Sequence, residues 1–226
     1  MRQFVVREHE IEPVSGLPGY LPEGEKILWQ GKPSRLLVAR HVLKSRWIAG
    51  YFLVLASWSV YAGWSDGEPL AALVVPVVLL VFASMILFGL IWLYAWAVHK
   101  TTLYTVTNKR VVMRFGVALS MTLNLPFKQI NTIALGHLSG ASGNLALQLL
   151  PGHRMSWLVQ WPHVRGWRFS DVEPSLICLP DVKNVTDILV SAFTQYAAAN
   201  SGHPKVTHSM PGKKPDPDTA SVVAAE

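Results

Sequence analysis

The chain of 226 residues contains a single cysteine, Cys178, and Asp, Glu, Lys and Arg together make up only 15% of it. One cysteine excludes an intramolecular disulfide framework and any zinc or iron–sulfur site built on several thiolates. Sparse charge beside 50% hydrophobic residues and a mean hydropathy of +0.29 excludes a chain disordered throughout. It also makes the chain too apolar for one lacking both a membrane segment and a very large core. Paired carboxylates, a glycine-rich phosphate loop and a nucleophile beside a general base are missing too; Gly140, Gly143 and Gly152 read as turn glycines. Catalysis then has no residues to carry it, and the expectation is a protein that is not an enzyme and holds no cofactor. The first 20 residues lack the apolar core of a signal peptide, and Glu8, Glu10 and Glu12 do not suit a transit peptide.

Charge is absent altogether from two long stretches: the 19 residues Trp47 to Ser65 and the 30 residues Pro69 to Val98. Crossing about 30 Å of hydrocarbon takes roughly 20 helical residues, so each is long enough to span a membrane. The second is the stronger, with 16 Leu, Ile, Val and Phe between Leu70 and Leu93, each favouring insertion by roughly 0.3 to 0.6 kcal/mol near a helix centre. Only Ser65 to Pro69 joins the two, which predicts a helical hairpin. Trp47, Tyr51, Trp58, Tyr61 and Trp64 lie towards the ends of the first stretch and Trp92, Tyr94 and Trp96 near the end of the second, where aromatic rings form interfacial belts.

The 20 Lys and Arg exceed the 14 Asp and Glu by six, and the position of that excess matters more than its size. Lys32, Arg35, Arg40, Lys44 and Arg46 precede the first stretch with no acid among them, Lys100, Lys109, Arg110 and Arg114 follow the second, and the turn carries Asp66 and Glu68. By the positive-inside rule both termini are expected in the cytoplasm, with the turn on the far side of the membrane. Basic residues that flank spans do not form a separate basic face, so nucleic-acid binding loses its motivation. Neither stretch holds an ionisable residue, which argues against a proton relay or ion path of its own.

Beyond Lys100 the pattern turns to alternation. Leu103 to Thr107 and Arg110 to Phe115, joined at Asn108-Lys109, predict a β-hairpin with Val111, Met113 and Phe115 on one face. Strict alternation from Val117 to Leu125, then Leu145-Leu147-Leu149, Trp157-Val159-Trp161 and Ser175 to Leu179, predicts further short strands. Val185, Ile188, Leu189, Ala192, Phe193 and Tyr196 recur with helical period, and Asp181 or Asn184 can cap that helix. The class expected is a membrane α-helical hairpin plus an α+β cytoplasmic domain, a curved antiparallel sheet or split β-barrel capped by a C-terminal helix. Its boundaries read as a cytoplasmic segment 1–46, spans 47–65 and 69–98 about a turn at 66–68, a domain 99–200, and a disordered Pro- and Lys-rich tail 201–226. Whether residues 27–31 add a strand to that sheet is left open.

Leu21-Pro22-Glu23-Gly24-Glu25-Lys26-Ile27-Leu28-Trp29-Gln30-Gly31-Lys32-Pro33 ahead of the spans, with Tyr104 to Arg110 and Leu125 to Ile130 after them, resembles the bacterial pleckstrin-homology-like membrane proteins. The combination is similar to the PuhB-type photosynthetic complex assembly proteins of purple bacteria, over roughly residues 18–198. The resemblance implies a PH-like domain and a non-enzymatic factor that promotes assembly of the photosynthetic reaction centre with its core light-harvesting antenna. The partners it implies are subunits of those complexes. Members of that branch are sometimes drawn with three spans; here Trp157 to Trp167, interrupted by His163 and Arg165, is the nearest third.

Few residues offer a site. Arg40, Lys44 and Arg46, and the basic aromatic run with Trp161, Arg165, Trp167 and Arg168, suit anionic lipid headgroups or a partner's surface; a solvated loop is the plainer account of that run. His99, where the second stretch ends, is a weak candidate for an axial magnesium ligand of a pigment and more simply an interfacial residue. His153, His163 and Cys178 match no metal spacing and read as loop residues and a small core residue. The rival to an assembly factor is a PH-like membrane protein that binds anionic lipid or pigment. Stoichiometry, a homo-oligomer included, is not legible.

Overall fold

The computed structural model describes residues 16, 17, 19–117, 119–150, 156–166 and 172–199. The expected tail, Trp167 and Arg168 therefore lie outside the described residues.

Among the described residues, seven strands form two antiparallel sheets. Strand β1 (Ile27–Gly31) is followed by a short helical corner, α1 (Arg35–Leu37) running into a π-turn at Val38–Val42, and then by two long helices, α2 (Ser45–Ser65) and α3 (Leu70–Thr101). Only after them come β2 (Leu103–Thr107), β3 (Arg110–Phe115) and β4 (Met121–Pro126), which with β1 make one sheet in the order β1-β2-β3-β4. The second sheet is β5 (Ile130–His137), β6 (Gly143–Leu149) and β7 (Ser175–Leu179), with the short helix α4 (Trp157–Gln160) between its last strands. Helix α5 (Val182–Ala199) closes the fold. The question left open for residues 27–31 is answered by the register: Trp29 opposes Val106, Gln30 opposes Thr105 and Gly31 opposes Tyr104. The helical pair is thus an insertion between the first two strands of a β-domain.

The core follows the pleat. Tyr104 and Val106 of β2, Val111, Met113 and Phe115 of β3, and Leu145 and Leu147 of β6 point to one interior, which α5 covers with Val185, Leu189, Ala192 and Phe193. Phe127 meets both Phe193 and Tyr196 edge-on, with ring centres 5.7 and 5.6 Å apart. Asp181 caps α5 by accepting the Asn184 N–H at 3.3 Å.

Two strand expectations are corrected. Trp157-Val159-Trp161 is no strand: Trp157–Gln160 is one turn of helix, and an apolar residue at every second position over five residues is too short a sample to separate the two periods. The alternation from Val117 also begins too early, because β4 starts at Met121. Gly116 takes φ +122, a side chain there would collide with the Leu119 carbonyl, and the chain turns instead of extending.

Of the two apolar stretches, α3 alone is both long and apolar enough to cross a membrane. Helix α2 is 21 residues long, has no buried residue, and owes its lower hydropathy to the Ser, Gly, Trp and Tyr among its aliphatic residues. It runs back against α3 from a tight turn, where Gly67 N–H bonds the Trp64 carbonyl at 3.2 Å. Close approach near that turn depends on Gly63, where a side chain would run into Leu73. Elsewhere both helices expose large apolar side chains, among them Trp58 at 67%, Phe82 at 62% and Met85 at 67%. Monomeric soluble proteins rarely expose so large an apolar surface, which marks a membrane or protein contact.

Candidate functional site

The two segments that carry the family resemblance meet as halves of a clasp. Glu25, 8% exposed, accepts through Oε1 from Thr107 Oγ1 and from Arg110 Nε, each at 2.8 Å. Asn108 donates from Nδ2 to the Gly24 carbonyl and accepts at Oδ1 from the Lys26 N–H, both at 2.9 Å, while Lys109 Nζ reaches the Glu23 carbonyl at 3.1 Å. Gln30 Nε2 donates to Thr105 Oγ1 at 2.9 Å. The Trp29 ring covers Gly31 so closely that a Cβ has no room. These residues hold together the two ends of an insertion of some 70 residues, a structural task that explains their types.

Below the exposed part of α3, its last turns are packed into protein. Ile91, Ala95 and Val98 form a second core with Val38, Ala39, Ile177 and Cys178. Backbone bonds lock it: Ser34 N–H donates to the Cys178 carbonyl at 2.8 Å, and His99 Nδ1 donates to the Pro33 carbonyl at 2.7 Å. His99 is therefore a strut between the ends of the insertion. Cys178 is the small buried residue expected; burial pushes its thiol up to about 12, so it stays protonated and unreactive. Its N–H donates to Asn144 Oδ1 at 2.7 Å, in a backbone kink with φ +53.

His163 lies in the loop after α4, as expected, but that loop is turned into the core. His163 is 2% exposed, with Phe115 against its ring at 4.7 Å between centres. Ile177 N–H donates to the Tyr104 hydroxyl at 3.3 Å, which leaves that hydroxyl to donate to His163 Nδ1 at 2.7 Å. Nδ1 then accepts, and Nε2–H is the form that can reach Thr102 Oγ1 at 3.4 Å. Burial lowers the His163 pKa to about 3 and raises that of Tyr104 well above its ordinary value. The pair is a neutral polar post inside an apolar core. A separation of 59 positions gave sequence reasoning no signal that they meet. Among the described residues no three His, Cys, Asp or Glu side chains gather where they could hold a metal ion.

The structure brings Arg40, Lys44 and Arg46 together. The π-turn carries Arg40 and His41 around the corner, α2 starts immediately beyond Lys44, and the three cations and His41 wall the polar side of a cavity of about 750 Å³. Its apolar side is Trp47, Gly50, Tyr51 and Val54, successive positions on one face of α2. His41, which the sequence reading passed over, has a buried Nε2 without a hydrogen-bond partner among the described residues; burial and then Lys44, Arg40 and Arg46 lower its pKa. Trp161 and Arg165 lie elsewhere. Trp161 stacks on Tyr94 of α3 at 5.9 Å, and Arg165 Nη1 pairs with the buried Glu173 carboxylate at 2.9 Å.

Two antiparallel sheets closed by a C-terminal helix, with a long apolar helix packed against the domain, define a PH-like β-domain bearing a helical insertion. Residues 45–192 match the family model described as a bacterial PH domain, and the chain belongs to that family. It is 36% identical over 200 residues to a Rhodobacter capsulatus protein described as "Uncharacterized 23.7 kDa protein in puhA 5'region", covering 88% of this chain and 92% of the relative. No solved structure gives a significant match.

Proposed function

We propose that this protein is a membrane-anchored, non-enzymatic assembly factor whose clients are subunits of the photosynthetic reaction centre and its core antenna. The observation that carries the reading is the division of α3: one stretch exposes apolar side chains on every side, and the continuation of the same helix is built into the β-domain. A client held by the exposed stretch is thereby held at a fixed position relative to the domain. The location of the relative's gene in the 5' region of puhA, a photosynthesis gene, supports a photosynthetic client. In this reading α2 crosses the membrane with α3, because it lies antiparallel beside it with no buried residue of its own. Both termini are cytoplasmic and Ser65 to Pro69 faces the periplasm. Gly89 of α3 has open space over it, the kind of position at which a client helix approaches closely.

Deleting the gene in its phototrophic host is expected to lower assembled reaction-centre core complex, read by absorbance of isolated membranes, while pigment synthesis continues. Normal core-complex levels in the deletion strain under phototrophic growth contradict the proposal.

A further inference from the structure

The corner between the π-turn and α2 combines features that a simple topological excess of charge does not require. Other cations near the helix ends have aromatic partners: Arg35 lies over Trp92 at 5.5 Å and Lys100 over Trp96 at 4.9 Å. Arg40, Lys44 and Arg46 have no ion pair or hydrogen bond with any described side chain, and no acidic residue stands in the first turn of α2 to balance them. The positive end of the α2 dipole adds to the same field. Lys44 makes the corner at φ +53, a conformation that glycine adopts with less strain. A lysine held there at a cost points to a use for its charge. The cavity then changes character along its length, from three cations to the exposed rings of Trp47 and Tyr51 and on to Gly50 and Val54, on an exposed face of α2. No Cβ contact lies within 4 Å over Gly50, so the apolar end is open.

We infer that this cavity is a binding site for one anionic membrane phospholipid, its phosphate held by Arg40, Lys44 and Arg46 and an acyl chain lying along Gly50 and Val54 on α2. The shared chemistry is a phosphate anion; the apolar end selects the lipid over a free ion. The inference rests on the reading that α2 lies in the membrane.

Full-length protein in mild detergent, supplied with phosphatidylglycerol and examined by native mass spectrometry, is expected to retain one lipid per chain. Arg40→Gln combined with Lys44→Gly should lower that occupancy about thirtyfold, from two juxtamembrane cations, while the glycine relieves the corner and leaves the fold intact. Gly50→Trp should also empty the site with no change in charge. The charge-matched pair Lys128→Gln and Lys183→Gln, exposed on the β-domain, should retain the lipid. Equal retention by all four proteins overturns the inference, as does displacement of the lipid by inorganic phosphate at millimolar concentration, which would assign the cations to a free anion. If wild-type protein is instead washed from membranes by alkaline carbonate, the membrane reading itself has failed, separately from the lipid site.

Discussion

Helix α3 is one element in two surroundings. From Leu70 to Leu90 only Leu73 is buried, and apolar side chains point outward on every side. From Ile91 to Thr101 the buried positions are Ile91, Ala95 and Val98, spaced i, i+4 and i+7, with Trp92, Trp96 and Lys100 turned away from the seam. A helix wholly in hydrocarbon has no reason to differentiate its faces, whereas one between protein and water must. The amphipathic stripe therefore starts where the β-domain becomes the neighbour of α3, and under the proposed membrane reading its start would mark the boundary more sharply than the end of the apolar run.

The largest effect expected from this division is at the seam. Ala95 is 0% exposed, and Ala95→Glu would bury an unpaired carboxylate, at a cost of several kcal/mol. Loss of the folded domain, read as rapid trypsin digestion of membrane-bound protein, is the expected outcome. Gly89→Ala, six residues away on the exposed stretch and facing open space, should change resistance by less than about 0.5 kcal/mol.

Phe193→Ala sharpens the comparison from the domain's side. Phe193 is 5% exposed and seated on Phe127, so truncation should cost about 3 to 5 kcal/mol. The β-domain should then be digested while a protected fragment containing α2 and α3 persists in the membrane. Loss of both together would show that the insertion cannot stand without the domain.

A smaller effect comes from the buried polar post. Tyr104→Phe leaves the Ile177 N–H and His163 Nδ1 unsatisfied, worth about 1 to 3 kcal/mol. Because the folded pKa of His163, about 3, lies below the unfolded value of about 6.5, its contribution is complete above about pH 6.5. It is lost as pH falls towards 3. Thermal unfolding of the full chain should show that slope.

Much of this was legible because it repeats. The α5 stripe and the alternation of β2 and β3 each supply several turns of a period, and burial of Val185, Leu189 and Phe193 or of Val111, Met113 and Phe115 follows directly. Strand β1 was not decidable, since its partner lies beyond the helical insertion and a five-residue strand contains no information about what it pairs with. The cations of the cavity were visible as a cluster. His41 beside them and the Tyr104–His163 pair were not, because each depends on a turn or a packing contact that no spacing encodes.

The central claim is that α2 and α3 cross the membrane together and return the chain to the side on which β1 must meet β2. A reporter active only in the periplasm tests this when placed, in separate fusions, before Met1, after Gly67 and after Asn200. The account predicts signal after Gly67 and silence at the other two positions. Signal at Met1 with silence at Asn200 would reduce the membrane part to a single span, and silence at Gly67 would contradict the hairpin altogether.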